Sequence, residues 1–292
     1  MRFVRFLVKE FLLHGILFAI GGTVVLSALY LLSIGAPGDA YLEAAKSFCL
    51  LLIGQRDLAA MGPGFTSGQI IVAGAKQTLP LALISLIFLI IIALVGSSYA
   101  VSSRYMSLTY GKKHSERMEK FLALILSVFA AVPLFVGFWL LYTWLGDAPK
   151  PMIALFTVLL GGLAWDATSF LKTDMLSQVN QTHAIVFSTL GRKLGRVFPW
   201  PGTYTGYIFQ SSLPRFIPYL AGKVPAIIGS VTIAEIAFSF PGLGKNLIDA
   251  LIETNTDLLI TSVFVLLCIN AVVSFLVKLI LFILYPRVYE RG

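Results

Sequence analysis

The stretch "AEIAFSFPGLGKN", residues 234–246, joins the end of one apolar run to a more polar segment. It places the carboxylate of Glu235 among apolar residues, and then brings Pro241, two glycines and Lys245 close together. Proline stops a helix and glycine permits a tight turn. Residues 240–257 are therefore predicted to form a turn and a short helix outside the membrane. One apolar face of that helix is predicted from the spacing of Leu247, Ile248, Leu251 and Ile252.

Two glycines before a lysine also suggest a phosphate-binding loop. The pattern G-x-x-x-x-G-K-[ST] requires glycine at position 239 and Ser or Thr at 246, where this chain has Ser239 and Asn246. The dinucleotide pattern G-x-G-x-x-G fails at Leu247. The stretch is therefore not predicted to bind a nucleotide.

Composition indicates a membrane protein. Of the 292 residues, 58% are hydrophobic and 12% are charged, and the mean hydropathy is +0.88. Soluble domains carry about 25% charged residues. Two cysteines exclude a disulfide framework, and the three histidines lack the spacing of a metal site. Nucleic acid is not an expected partner, because no basic patch is interleaved with aromatic residues.

Six stretches approach or exceed the length of about 20 apolar residues that crosses a bilayer. We predict an all-α integral membrane protein with a single transmembrane domain over residues 1–292, in which Pro133 kinks the third span. The predicted spans are about 11–34, 79–101, 121–145, 152–171, 216–238 and 258–285. The long connections are an external segment, 35–78, with a surface helix in "YLEAAKSFCLLLIG", and a cytoplasmic segment, 172–215.

The distribution of basic residues predicts the orientation. With a cytoplasmic N-terminus, the inside segments hold 16 Lys and Arg residues and the outside segments hold 5, while Lys223 falls within the fifth span. Positive charge accumulates in cytoplasmic loops. Both termini are therefore predicted to be cytoplasmic, with the first span an uncleaved anchor.

Three ionisable residues fall inside predicted spans: Asp166, Lys223 and Glu235. A charge at a helix centre costs about 2.5–3.5 kcal/mol on insertion scales, so each should face protein or water. Asp166 and Glu235 either line a path or gate, or form structural contacts. For Lys223, near a boundary of its span, a structural role is favoured.

The segment Thr232–Leu259 resembles the permease subunits of bacterial ABC importers for oligopeptides, dipeptides and nickel. "KQTLPLALISL", "VPLFVG" at 132–137 and "APGD" at 36–39 resemble other parts of that family. The family's closing Asp-Pro-Arg corresponds to Tyr285-Pro286-Arg287. The matching positions of the main segment are Glu235, Phe238, Ser239, Phe240, Pro241, Gly242, Gly244 and Asp249.

The resemblance implies the architecture of a type I importer permease in the bacterial inner membrane, without catalysis of its own. It implies a second permease subunit in a heterodimer, two ATPase subunits that hold ATP and Mg, and an extracytoplasmic solute-binding protein. This chain would itself bind no cofactor or metal. The expected path or gate residues are Asp166, Glu235, Ser239, Pro241, Gly242 and Gly244.

The family docks on its ATPase through a cytoplasmic E-A-A-x-x-x-G motif. Here the acidic residue and the alanines are missing, and "FPWPGTYTG" follows. Either Gly195 or, in a shifted register, Gly191 takes the place of the glycine. The expected coupling residues are Thr189, Leu190, Gly191, Arg192, Lys193 and Gly195.

Two other functions remain open at this point. An ion-coupled secondary transporter would use Asp166 and Glu235 as proton sites, although six spans without an evident inverted repeat argue against it. A structural subunit of a membrane complex is the third possibility.

Overall fold

Helices account for nearly all of the chain that the structure describes. The computed structural model describes residues 2–34, 42, 46, 49, 50, 52–55, 66–110, 114–146, 148–189 and 193–284. The first five helices are α1 Arg2–Ile34, α2 Ser67–Tyr110, α3 His114–Ala131, α4 Leu134–Leu145 and α5 Lys150–Leu159. A 3-10 turn, Leu160–Gly162, leads to α6 Leu163–Val179, α7 Thr182–Thr189, α8 Tyr204–Ala237, α9 Leu243–Ile252 and α10 Thr256–Leu284.

Within the described ranges, five helical segments are long and apolar enough to cross a membrane. The number rises to six if the bent pair α3 and α4 counts as one span. The chain divides into two compact units, one of Met1–Pro80 with Val231–Gly292 and the other of Leu81–Ser230.

In the first unit, α10 packs against α1 and α9. Its core contains Leu243, Ile260, Phe264 and Val265, with Phe18, Ala75, Cys268 and Ile269 packed around them. The rings of Phe18 and Phe264 lie 5.9 Å apart. An ion pair of 2.9 Å between Lys278 and Glu10 also joins α10 to α1.

In the second unit, the region predicted as a kinked third span, 121–145, is broken rather than kinked. Helix α3 ends at Ala131, α4 begins at Leu134, and the two are bent by 94°. Pro133 adopts an extended conformation, φ −57° and ψ 134°, and has no N–H to continue the helix. A Cβ on Gly137 would lie 2.5 Å from Leu160, so this glycine permits close packing of α4 on the 3-10 turn.

Other helices extend beyond the ends of the predicted spans. Helix α8 begins at Tyr204 rather than near 216, inside the predicted cytoplasmic segment 172–215. The predicted span 152–171 lies in the longer segment Lys150–Val179, which is interrupted where Gly161 and Gly162 adopt positive φ angles of 69° and 86°.

The predicted external elements are described only in part. Most of the predicted surface helix, and of segment 35–78 before α2, lies outside the described residues. Helix α2 begins at Ser67, so it contains residues 67–78 of that segment. The short helix predicted within 240–257 is α9, Leu243–Ile252.

Candidate functional site

The Glu235 carboxylate caps the N-terminus of α9. Glu235 is 1% exposed, and its Oε2 accepts a hydrogen bond of 2.8 Å from the backbone N–H of Gly244. The first N–H groups of a helix have no intrahelical partner, and negative charge near them is favourable. Glu235 lies in the last turn of α8, so the capping contact fixes the end of α8 to the start of α9.

Thr78 completes this cap from a distant part of the chain. Its hydroxyl donates to Glu235 Oε1 over 2.6 Å and accepts from the backbone N–H of Leu243 over 2.9 Å. Thr78 is 1% exposed, on α2. Nothing in the sequence singles out Thr78, although it lies in the stretch "KQTLPLALISL", which resembles part of the permease family. We call Thr78, Glu235 and the Gly242–Gly244 backbone the α9 cap.

Glycines provide the space that the α9 cap needs. A Cβ on Gly242 would overlap the Glu235 carboxylate, and one on Gly244 would lie 2.5 Å from Thr232 Cγ2. A Cβ on Gly74 of α2 would lie 2.7 Å from the Leu243 side chain. The glycines that resemble a phosphate loop are therefore explained by close packing.

The turn from α8 to α9 contains two more of the predicted gate residues, Ser239 and Pro241. Ser239 has a positive φ of 52°, a conformation that is unfavourable for residues with a Cβ. The N–H of Phe240 donates to the Glu235 carbonyl over 2.9 Å, and Gly242 N–H donates to the Phe240 carbonyl over 2.8 Å. Pro241 is exposed between them.

Asp166 and Lys223 form an ion pair in the second unit. Lys223 Nζ lies 2.8 Å from Asp166 Oδ2 and 5.4 Å from the centroid of the Tyr219 ring. Tyr219 in turn stacks on Phe170, with ring centroids 4.0 Å apart and an interplanar angle of 10°. The structure thus gives Asp166 a specific partner, Lys223 on α8. Glu235 belongs to the other compact unit and to a different set of contacts.

The predicted coupling residues lie between α7 and α8, and the structure describes three of them. Thr189 ends α7, while Leu190, Gly191 and Arg192 lie outside the described residues. The Lys193 carbonyl accepts from Tyr204 N–H over 2.9 Å. The Gly195 carbonyl accepts from the hydroxyl of Thr205 over 2.7 Å and from that of Ser102 over 3.3 Å. These bonds tie the loop to the start of α8 and to α2.

Gly195 is buried in this loop. A Cβ there would collide with the Thr205 hydroxyl and lie 2.7 Å from both the Phe198 carbonyl oxygen and the Thr203 hydroxyl. The requirement for glycine at this position is therefore local packing. Exposed apolar side chains, by contrast, lie on α7 and in the loop itself. They are Ile185, 55% exposed, Val186, 58%, Val197, 50%, and Trp200, 63%.

Metal chemistry has no visible basis in the part of the chain that the structure describes. No group of three or more His, Cys, Asp or Glu side chains is placed to hold an ion there. The arrangement instead provides a hydrogen-bonded loop with exposed apolar residues, an ion pair within predicted spans, and a buried helix cap.

Comparison with known proteins supports a transport role. Residues 105–290 match the family described as binding-protein-dependent transport system inner membrane component. An 88-residue segment is 30% identical to the oligopeptide transport system permease protein AmiC of Streptococcus pneumoniae serotype 4, and equally to AmiC of a second strain of that species. The segment covers 30% of this chain and only 18% of the length of either relative.

Proposed function

The chain belongs to the family of binding-protein-dependent transport system inner membrane components, and from this premise we propose that it is the permease subunit of an ATP-driven importer. The observation that carries the proposal is the family match over residues 105–290, more than half of the chain. The described helices that are long and apolar enough to cross a membrane agree with a multi-pass inner membrane subunit. In this proposal the chain catalyses no reaction, and both of its termini are cytoplasmic.

The proposed cargo is a peptide, nickel or a related small solute. A peptide is the first candidate, because the similar AmiC proteins are named as oligopeptide permeases. An extracytoplasmic binding protein would deliver the solute to a pair formed by this chain and a second permease subunit.

Energy would come from two ATPase subunits that hold ATP and Mg and dock on the segment between α7 and α8. Two observations support this location. Hydrogen bonds hold the loop around Gly195 to α2 and α8. A movement of the ATPase that displaces this loop would therefore be transmitted to both helices. The exposed side chains of Ile185, Val186 and Trp200 offer apolar area for a partner. Coupling requires an element whose position both sites influence.

At the opposite end of α8, the α9 cap is proposed to hold the gate residues in place. Glu235, Gly242 and Gly244 would act by positioning α9, because their contacts are with one another and with Thr78 and Thr232. Ser239 and Pro241 would shape the turn that joins the two helices.

The test is uptake by vesicles that contain the chain with its co-purified partners. Radiolabelled trialanine and nickel ion serve as probes, with ATP inside or outside and with or without a protonophore. The proposal expects co-purification with a Walker-motif ATPase and uptake of one probe that requires ATP and survives the protonophore. Uptake that persists without ATP and collapses with the proton gradient would instead establish the ion-coupled alternative.

A further inference from the structure

The Asp166–Lys223 ion pair has an exposed negative end within the part of the chain assigned to the membrane. The two residues lie near the middle of the segments Lys150–Val179 and Tyr204–Ala237. The Lys223 side chain is 25% exposed, whereas the Asp166 side chain remains 52% exposed although its Oδ2 contacts the lysine. The lysine is also covered by the Tyr219 ring. The carboxylate is therefore the accessible half of the pair.

Lipid is an unfavourable environment for such a carboxylate. Charged side chains within spans almost always face the bundle interior or a water-filled cavity, because a charge at a helix centre costs about 2.5–3.5 kcal/mol on insertion scales. The surface that carries Asp166 should accordingly face water or another protein rather than hydrocarbon.

The neighbouring exposed face of α8 consists of glycine, alanine and proline residues. Its residues recur every three or four positions, which places them along one side of the helix. They are Pro218, Gly222, Pro225, Ala226 and Gly229, all of them exposed. A Cβ added at Gly222 or at Gly229 would meet nothing within 4 Å, so there is open space beside the backbone.

The prolines change the chemistry of this face. Proline has no N–H, so Pro218 and Pro225 remove the helical donors of the carbonyls of Pro214 and Ala221, four residues earlier. Carbonyls freed in this way within a membrane need water or another donor. Carbonyl oxygens without a helical donor on α8 thus accompany the carboxylate of Asp166, which lies on α6 and is paired with Lys223 of α8.

We propose that Asp166, held by Lys223, and the exposed face of α8 form a wall of the solute path that accepts cationic and N–H-bearing groups, such as the ammonium and amide groups of a peptide. The inference rests on the proposed import function and deepens it by naming the chemical groups that this wall receives. Both the carboxylate and the freed carbonyls accept hydrogen bonds, and the carboxylate attracts positive charge. Anionic solutes would be disfavoured along the same wall.

The test measures access to the wall with charged thiol reagents and needs no knowledge of the cargo. Cys49 and Cys268 are replaced by alanine, and Gly222→Cys is introduced into the complete complex in membranes. A trimethylammonium thiosulfonate and a sulfonate thiosulfonate are then compared for their rates of modification. We expect the cationic reagent to react about tenfold faster relative to its rate with a free thiol, since charge lining a cleft concentrates ions of opposite sign by tenfold or more.

Charge variants separate the role of Asp166 from simple exposure. Asp166→Asn leaves Lys223 uncompensated and should reverse the preference towards the sulfonate reagent, whereas Lys223→Gln should increase the preference for the cation. The exchanged pair Asp166→Lys with Lys223→Asp keeps an ion pair and should also reverse the preference, so it remains informative if the single variants fold poorly. Ile87→Cys, at a position on α2 that is 55% exposed, is the control for an exposed apolar site.

Modification of Gly222→Cys no faster than that of Ile87→Cys, or a preference that neither Asp166→Asn nor the exchanged pair alters, would overturn the inference. ATP-dependent uptake by the same variants is scored separately. Uptake that depends on ATP, combined with an inaccessible Gly222→Cys, would leave the proposed function standing and remove only this site. Uptake driven by an ion gradient, combined with a cation-preferring site, would overturn the proposed function instead.

Discussion

Thr78 and Glu235 lie 157 positions apart in the chain and are joined by a buried hydrogen bond of 2.6 Å. The same threonine oxygen accepts the N–H of Leu243, and the same carboxylate accepts the N–H of Gly244. Three helices therefore meet in one small polar cluster: α2 supplies the hydroxyl, α8 supplies the carboxylate and α9 supplies the two N–H groups. Because the cluster is buried, each group depends on the others for its hydrogen bonds.

Thr78→Val should destabilise the α9 cap. Valine has nearly the same shape as threonine but no hydroxyl, so the Leu243 N–H and one Glu235 oxygen would be buried without this partner, at a cost of about 1–3 kcal/mol. Hydrogen–deuterium exchange at the first amides of α9 should accelerate, while amides of α7, in the other compact unit, should be unaffected. Thr78→Ser keeps the hydroxyl and is the matched control. Equal exchange in the valine and serine variants would show that the hydrogen bonds contribute little.

Glu235→Gln and Glu235→Ala should form a graded series. Glutamine keeps one acceptor oxygen and loses the charge, whereas alanine removes both acceptors and leaves a cavity. Hydrogen bonds to a charged group contribute about 1.5–3 kcal/mol, so we expect a moderate loss of stability for glutamine and a larger one for alanine. Uptake and amide exchange of α9 should change in that same order. Abolished uptake by Glu235→Gln with unchanged exchange of α9 would instead indicate that the carboxylate acts directly on the solute or gate.

Gly242→Ala tests the close approach of the backbone to the carboxylate. The φ of Gly242 is −106°, which alanine can adopt, so the substitution acts through space alone. The added methyl group would overlap Glu235, and overpacking of this kind costs about 1–3 kcal/mol. Thermal unfolding in detergent should show the loss. Gly21→Ala, where a Cβ meets nothing within 4 Å, is the control and should not lower the melting temperature.

Ser239 tests the turn between α8 and α9. Its φ of 52° is tolerated by serine but strains a β-branched residue. Ser239→Val should lower the stability by about 1–2 kcal/mol, and Ser239→Gly should be neutral or slightly stabilising, because glycine adopts this conformation readily. The melting temperatures of the two variants provide the comparison. Destabilisation by glycine equal to that by valine would mean that the serine hydroxyl, rather than the backbone, matters here.

The sequence predicted helical membrane spans because length and hydropathy report burial in lipid directly. It did not predict where the helices begin, because local chemistry determines where a helix starts. Thr203 accepts a hydrogen bond of 3.1 Å from the N–H of Gly206, an N-cap that starts α8 well before its apolar part. At Pro133 the sequence indicated a kink, but α3 and α4 are bent by 94° and Gly137 lies close to Leu160, an approach that a single sequence does not reveal.

The candidate site shows the same division. Glu235 could be singled out because a carboxylate in an apolar run is unusual. Thr78 could not, because a threonine in a helix is ordinary and its partners lie far away in the chain. The specific pairing of Asp166 with Lys223 could not be predicted either, because the two residues lie 57 positions apart.

Trp200→Ala should weaken docking of the proposed ATPase without unfolding the loop. Trp200 exposes 63% of its surface, whereas its backbone carbonyl accepts hydrogen bonds from the Thr203 hydroxyl and N–H that alanine would preserve. Buried tryptophans at interfaces often contribute 2 kcal/mol or more to binding. The dissociation constant of the complex with the ATPase should therefore rise about thirtyfold. Trp144→Ala, at a tryptophan that is 85% exposed on α4, is the matched control.

Deletion of residues 186–198 should abolish stimulation of ATP hydrolysis entirely. Wild-type affinity for the ATPase in Trp200→Ala, together with normal stimulation in the deletion, would place the docking surface elsewhere on the chain.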